Sequence, residues 1–177
     1  SHVKNGIYGE MWVAAMLAAA AVTDDIERII RAGLAEIPEH CRLAEDINAV
    51  LGWKRDGIGW EEAMERIHAQ YDEHKPHHWC HTNPNAMIVA LGLLYGESDF
   101  EKSIGIAVTA AFDTDCNGAT VGSIVGMIMG AKALPVKWVA PLKDKIKSGV
   151  DGFGLVNISE LAERSAAIVR ANPYLQF

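Results

Sequence analysis

Apolar residues in this chain fall into long runs or recur every three to four positions, which is the spacing of a helix that buries one face. Short segments rich in glycine, proline and charged residues separate them and predict turns. No stretch alternates apolar and polar residues for long enough to predict a strand. We therefore predict an all-α bundle, one domain over residues 1–177, with helices at 11–22, 25–35, 41–51, 60–71, 86–95, 99–111, 118–131 and 159–171.

Capping signals mark the starts of two of these helices. Asp24 is followed three positions later by Glu27, and Ser98 is followed by Glu101, the spacing of a capping box. The acidic run Thr23-Asp24-Asp25 is accordingly interpreted as a helix cap. It precedes a segment with apolar residues at helical spacing, which supports that interpretation.

Composition and charge narrow the choice of partners. The chain is 50% hydrophobic and 22% charged, which is ordinary for a soluble globular domain, and its formal net charge of -7 argues against nucleic acid or an anionic membrane. The apolar runs 11–22 and 118–134 are too short or too rich in glycine for a membrane span and are predicted as buried helices. Three scattered cysteines predict free thiols in a reducing compartment, by default the cytoplasm, and no secretion signal opens the chain.

The strongest candidate for chemistry is Phe112-Asp113-Thr114-Asp115-Cys116-Asn117-Gly118. Two carboxylates two residues apart point to nearly opposite sides of a helix, so they can share a ligand only if the chain turns there. We predict such a turn over residues 113–117, ahead of a helix whose positive end favours the acids. A solvated acidic cap would have the same spacing, but the acids lie between two very apolar helices.

This segment also resembles the start of a calcium-binding loop. Its residues match the early positions of an EF-hand, but the twelfth position, which requires a bidentate Glu, is Ile124. We reject an EF-hand for that reason. Glycine then recurs every four residues from Gly118 to Gly130, which predicts close packing of this helix against a neighbour.

A second polar segment joins several histidines to the start of an apolar helix. His77, His78, Cys80 and His81 are potential zinc ligands, but their irregular spacing in a loop favours an ordinary surface cluster. The residues His81-Thr82-Asn83-Pro84-Asn85 suit either a polar ligand or N-capping by Asn83 or Asn85.

Taken together, four stretches resemble the ADP-ribosylglycohydrolase family, which includes the enzyme that reactivates dinitrogenase reductase and the J1-type crystallins. They are SHVKNGIYGEMWVAAMLAAAAVTDD, HTNPNAMIVALGLLYGESDFEKSI, FDTDCNGATVGSIVGMIMGA and LPVKW, in the family's order over positions 1 to about 140. The Asp-Thr-Asp turn followed by the glycine-spaced helix is the most specific of them. The resemblance implies an all-helical hydrolase of ADP-ribosyl glycosidic bonds.

Site residues follow from the resemblance. It implies that Asp113 and Asp115 are catalytic and bind one side of a pair of divalent cations, usually Mg²⁺, with Mn²⁺ as an alternative. Cys116 occupies a further ligand position, where a thiol suits a hard cation poorly. The substrate, an ADP-ribosylated protein or an ADP-ribose-type small molecule, is expected to contact His2, Tyr8, His81, Asn85 and Asn117.

The resemblance also implies an incomplete fold. The family's other metal ligands lie in a Thr-Asp-Asp element upstream of anything present here, so we expect a C-terminal half that needs an absent N-terminal half for full activity. Pairing with that half, or formation of a homo-oligomer over the exposed apolar surface, is expected. The rival hypothesis is a non-catalytic member of the family, crystallin-like or merely ADP-ribose-binding.

Overall fold

The computed structural model describes residues 3–172 and is all-α apart from one short hairpin. The chain forms two compact units, which meet in sequence at Ala133 and Leu134, where the sequence pattern predicts one domain. In the first unit the helices are α1 (Asn5–Ala20), α2 (Ile26–Ala35), α3 (Arg42–Arg55), α4 (Trp60–Gln70), α5 (Thr82–Gly96), α6 (Phe100–Thr109) and α7 (Thr114–Met129).

The second unit contains the strands that the sequence prediction missed. Strands β1 (Lys145–Lys147) and β2 (Leu155–Asn157) pair antiparallel, with Ile146 opposite Val156. Each strand has three residues, too few for an alternating pattern to stand out. The short helix α8 (Val136–Val139) and a 3₁₀ turn precede the hairpin, and α9 (Ile158–Ala171) follows it.

Helix α5 is the centre of the first unit. Thirteen of its fifteen residues are buried, and α3, α4, α6 and α7 all contact it. Its apolar run therefore needs no polar face, unlike the amphipathic α2 and α4, which bury one side only. The largest fully buried side chains around it include Trp12 of α1 and Ile47 of α3. Burial of this kind is the main stabilising contribution to the fold.

Glycine allows α7 to lie close to α6, as the four-residue glycine spacing predicted. A Cβ atom on Gly118 would lie 3.2 Å from the Val108 side chain, and one on Gly122 would lie 3.2 Å from Ile104. These distances are tighter than almost all real Cβ contacts. The prediction that the stripe serves helix packing is confirmed for Gly118 and Gly122, whereas Gly130 follows the end of α7 with a φ angle of 75° and a Cβ there would meet nothing within 4 Å.

Several predicted helix ends were wrong, and the three wrong starts share one physical reason. Helices α1, α5 and α7 begin four to six residues before their predicted starts, at Asn5, Thr82 and Thr114, because their first turns are polar and resemble loops in sequence. Helix α3 continues four residues beyond its predicted end at residue 51, to Arg55. Its last turn carries Lys54 and Arg55, which stabilise the negative end of a helix.

Candidate functional site

The start of α7 brings the two predicted acids together. Asp113 is the N-cap residue, with φ −86° and ψ 75°, and Asp115 lies in the first helical turn. Because Asp113 is outside the helix, the two side chains are not held on opposite faces. The predicted turn over residues 113–117 was too long, since helix α7 already begins at Thr114, but the two side chains do approach one another.

Asp113, Asp115 and Cys116 form a group of potential metal ligands. One ligand atom from each side chain lies within 4.8 Å of the other two. Asp113 is partly buried, whereas the other two side chains are exposed. Carboxylate oxygens suit a hard cation such as Mg²⁺ and the thiol sulfur does not, so the donor set fits that cation through its two acids only.

The electrostatics of this group agree with that division. Burial, and then the hydrogen bond with Asp115, raises the pKa of the Asp113 carboxyl above its ordinary value. Burial and the neighbouring Asp113 charge raise the pKa of the Cys116 thiol. The thiol is a hydrogen-bond partner of the Asp113 carboxyl. Two carboxylates this close repel one another, and a cation between them would relieve the repulsion.

Asn85 of α5 connects this acidic pair to the centre of the unit. Its Oδ1 atom accepts hydrogen bonds from the Asp113 backbone N–H at 3.1 Å and from the Asn117 side chain at 2.7 Å. Its Nδ2 group donates to the carbonyls of Trp79 and His81 at 3.0 and 2.8 Å. The hydrogen-bonding capacity of the Asn85 amide is thus used within the protein, and its role here is to position the start of α7.

A buried polar network fixes the start of α5 in turn. The Asp46 carboxylate, 8% exposed, accepts hydrogen bonds from Asn83 at 2.5 Å, Tyr71 at 2.7 Å and Gln70 at 2.8 Å. Burial, and then the bond to Asp46, raises the pKa of Tyr71 strongly, so the phenol remains a donor. The sequence analysis overlooked Asp46, although it lies at helical spacing among the buried residues Leu43, Ile47 and Val50.

The remaining residues expected at the site are spread around it. His81 is exposed and is the N-cap of α5, where its Nδ1 atom accepts from the Asn83 backbone N–H at 3.2 Å. The cap is therefore neither Asn83 nor Asn85. Tyr8 is half-buried on α1 and packs against the core. Asn117 is buried, at 2% exposure. His2 lies outside the described residues.

A groove with a cavity volume of about 470 Å³ lies between α1, α5 and α7. This volume is within the range of small-molecule sites. A Cβ atom on Gly9 would lie 2.5 Å from the Thr82 side chain, so glycine is required where α1 meets α5. Cys116 lines the groove, whereas Asp113 and Asp115 are not among its lining residues. The polar part of its wall is formed by Glu10, Thr82, Asn85, Cys116, Asn117 and Thr120.

The zinc alternative gains no support from the loop between α4 and α5. Of residues 3–172, only Asp113, Asp115 and Cys116 form a group of three potential metal ligands. His78 instead accepts a hydrogen bond from the Asp72 backbone N–H through Nδ1 at 3.0 Å. Its ring also makes an edge-on contact with that of Tyr71, at 5.7 Å between centroids, so both contacts are with residues near it in the chain.

The acidic run at α2 is a helix cap, as predicted, but through a different residue. Asp25, not Asp24, is the N-cap, and its carboxylate accepts from the Arg28 backbone N–H at 3.0 Å. Asp25 is exposed. Its side chain is thus used by the helix it precedes.

In the part of the chain from residue 3 to residue 172, no helix has both the length and the apolar character needed to cross a membrane. The two longest apolar runs of the sequence lie mainly in α1 and α7, which pack within the first unit. Both runs form helices as predicted, but α1 and α7 each bury only four of their sixteen residues, so they are not buried on all sides.

Comparison with known proteins gives one match. The family model described as ADP-ribosylglycohydrolase matches residues 1–172, and so extends beyond the 140 or so positions in which the resemblance was seen. Neither curated proteins nor solved structures gave a significant match. The matched range spans both units and contains Asp113 and Asp115. The chain belongs to the ADP-ribosylglycohydrolase family.

Proposed function

We propose that this chain contributes one side of a divalent-metal site that hydrolyses an ADP-ribosyl glycosidic bond. The observation that carries the proposal is the convergence of Asp113 and Asp115, whose ligand atoms lie within 4.8 Å of each other at the start of α7. Family membership supports hydrolysis of this class of bond. The substrate in this proposal is an ADP-ribosylated protein or a small ADP-ribose derivative.

Asp113 and Asp115 would hold the cation, Mg²⁺ or alternatively Mn²⁺, through their carboxylate oxygens. When bound, such a cation orients substrate hydroxyls and lowers the pKa of a water molecule. The Cys116 thiol is left out of the ligand set, because its soft sulfur suits a hard cation poorly. We assign it instead to the hydrogen bond that holds Asp113 in place.

The remaining side chains divide into positioning and contact groups. The Asn117 amide donates to Asn85, which accepts from the Asp113 backbone N–H, so the two amides are positioning groups. His81 is the N-cap of α5 and Tyr8 lies on α1; both elements border the groove without these two residues lining it, and we assign them substrate contacts. Asp115 is the more exposed acid and can accept the proton of a water that attacks the anomeric carbon.

Hydrolysis of ADP-ribosyl-arginine with Mg²⁺ tests the proposal, with released ADP-ribose measured by chromatography. The chain is assayed alone and with the N-terminal half of a family member. The double variant Asp113→Asn/Asp115→Asn, which keeps side-chain shape and removes both charges, is compared with Asp24→Asn/Asp25→Asn. We expect Mg²⁺-dependent release of ADP-ribose by the unchanged chain. Asp113→Asn/Asp115→Asn should lose this activity, and Asp24→Asn/Asp25→Asn should retain it.

A different result would contradict the proposal. If both double variants release ADP-ribose at the rate of the unchanged chain, the acids at α7 have no part in the reaction. If ADP-ribose binds to all three proteins without turnover in either assay, the chain is the non-catalytic, ligand-binding member of the rival hypothesis.

A further inference from the structure

The chain takes an unfavourable backbone conformation directly before the acidic pair. Ala111 and Phe112 both have positive φ angles, 64° and 58°. This left-handed region is disfavoured for residues with a Cβ atom, and two such residues in succession are unusual. They reverse the chain between the end of α6 at Thr109 and the start of α7 at Thr114. Such strain persists only where surrounding contacts impose it.

Three side chains from other elements impose it, each through a backbone group of the turn. The His68 Nε2 atom of α4 lies 3.0 Å from the Ala110 carbonyl oxygen. The Glu73 carboxylate, from the loop between α4 and α5, accepts a hydrogen bond from the Phe112 backbone N–H at 3.2 Å. The Asn85 carboxamide accepts one from the Asp113 N–H.

The ring of Phe112 adds a fourth contact to this arrangement. It is buried and its centroid lies 5.0 Å from that of the His68 ring, at an interplanar angle of 48°. His68 therefore holds both the backbone that enters the turn and the side chain at its second left-handed position. Rotation of Ala111 or Phe112 out of the left-handed conformation would break at least one of these contacts.

We propose that Glu73 and His68 are positioning residues for the metal site, acting through the left-handed turn that sets the direction of Asp113. This rests on the proposed function. Without the Glu73 acceptor, the Phe112 N–H loses its partner and the turn can relax toward ordinary backbone angles. Asp113 follows directly in the chain, so its carboxylate would move relative to that of Asp115.

A competing possibility is that Glu73 attracts the cation by its charge alone. Glu73→Gln separates the two, because glutamine keeps a side-chain oxygen that can accept from Phe112 and removes the charge. Glu73→Ala removes both. The hydrogen-bond proposal therefore expects the Gln variant to resemble the unchanged chain, and attraction by charge expects it to resemble the Ala variant.

The experiment uses the full chain and two readouts. Mn²⁺ binding is measured by electron paramagnetic resonance of the free ion, and amide hydrogen exchange of Phe112 by nuclear magnetic resonance with metal removed. We expect Glu73→Ala to weaken Mn²⁺ binding about tenfold, as loss of a residue that orients a metal ligand does, and to speed Phe112 exchange. Glu73→Gln should restore both. His68→Ala and His68→Gln form a second matched pair, since the Gln amide can still donate to the Ala110 carbonyl.

Each failure has its own signature. Unchanged Mn²⁺ affinity in Glu73→Ala and His68→Ala, with affinity lost in Asp113→Ala, overturns the positioning role and leaves the proposed function standing. Equal weakening in Glu73→Ala and Glu73→Gln also overturns it, in favour of charge. If Asp113→Ala binds Mn²⁺ as the unchanged chain does, the proposed function fails, and the positioning role fails with it. In that case faster Phe112 exchange in Glu73→Ala reports a contact that serves the fold alone.

Discussion

Closely spaced aspartates occur at the starts of two helices, α2 and α7. The N-cap aspartate makes a standard capping hydrogen bond at α2 and not at α7. At α2, the Asp25 carboxylate accepts from the Arg28 backbone N–H, in the manner of an ordinary N-cap. At α7, Asp113 also occupies the N-cap position, but its side chain makes no capping hydrogen bond of standard geometry, and the nearby Cys116 backbone N–H only partly offsets the rise in its pKa. Its oxygens lie instead close to the ligand atoms of Asp115 and Cys116. The same residue type at the same helix position therefore has two different roles.

The surroundings of the two helix starts account for this difference. Asp25 is exposed, and its helix is held to α1 by apolar packing. The Asp113 backbone is held from outside by Asn85, and the turn before it is held by Glu73. Because neighbours fix the chain at α7, the carboxylate is not needed to satisfy the helix. The start of α7 is a candidate ligand site because Asn85 and Glu73 hold its backbone and leave the Asp113 carboxylate available to a cation.

Exchange of acids for amides at the two helix starts should produce the largest contrast. We expect Asp113→Asn/Asp115→Asn to weaken Mn²⁺ binding by more than the roughly 10–100-fold typical of an outer-shell partner, because both charged ligands are lost. Asp24→Asn/Asp25→Asn should bind as the unchanged chain does. Titration of Mn²⁺ followed by electron paramagnetic resonance measures both. Similar affinities in the two variants would remove the distinction between the helix starts.

Removal of the external support at α7 should have the next largest effect. In Asn85→Ala, the Asp113 N–H and the Asn117 amide lose their acceptor, which we expect to lower the free energy of unfolding by about 2–3 kcal/mol. Asn48→Ala is the matched control, since Asn48 is exposed and bonds within α3, to the Ala44 carbonyl. Its cost should stay below about 0.5 kcal/mol in urea unfolding. Equal losses of unfolding free energy in the two variants would mean that the hydrogen bonds between Asn85 and the start of α7 stabilise the protein no more than an exposed bond within α3.

Local signals in the sequence predicted more of the fold than of the site. The helix at Trp60–Gln70 and that at Ile158–Ala171 were predicted to within one residue at each end, because their apolar residues recur at helical spacing. The polar first turns of α1, α5 and α7 carry no such periodicity and were assigned to loops. The all-α class followed from the long segments and did not depend on these ends.

Contacts between distant residues account for what the sequence could not predict at the site. The acids were found from their spacing and from the family resemblance, but Asn85 bonds to a residue 28 positions away. Glu73 and His68 bond to residues 39 and 42 positions away. Ala111 and Phe112 give no local sign of positive φ angles, which glycine or asparagine would have given. Such features arise only when the helices pack.

Loss of the cap itself should distinguish the helix starts in the opposite sense. Asp25→Ala removes the acceptor for the Arg28 N–H and should cost about 1 kcal/mol of unfolding free energy. Asp113→Ala removes only the weaker interaction with the Cys116 backbone N–H, so in metal-free protein it should cost less. Thermal unfolding in the presence of a chelator compares the two. A larger cost for Asp113→Ala would show that its side chain supports the helix after all.

The backbone that enters α7 gives the smallest predicted effect and the one with an unusual sign. Ala111 has a φ angle of 64°, and Thr23 to Asp25 before α2 have no positive φ angle. Glycine avoids the left-handed penalty of roughly 1–2 kcal/mol but loses more chain entropy on folding, so Ala111→Gly should stabilise the protein by about 0.5 kcal/mol. Ala119→Gly, at an exposed position inside α7, should destabilise it by about 1 kcal/mol. Destabilisation by both substitutions in urea unfolding would mean that the turn at Ala111 is not held in a left-handed conformation, and the positioning role of Glu73 would lose its basis.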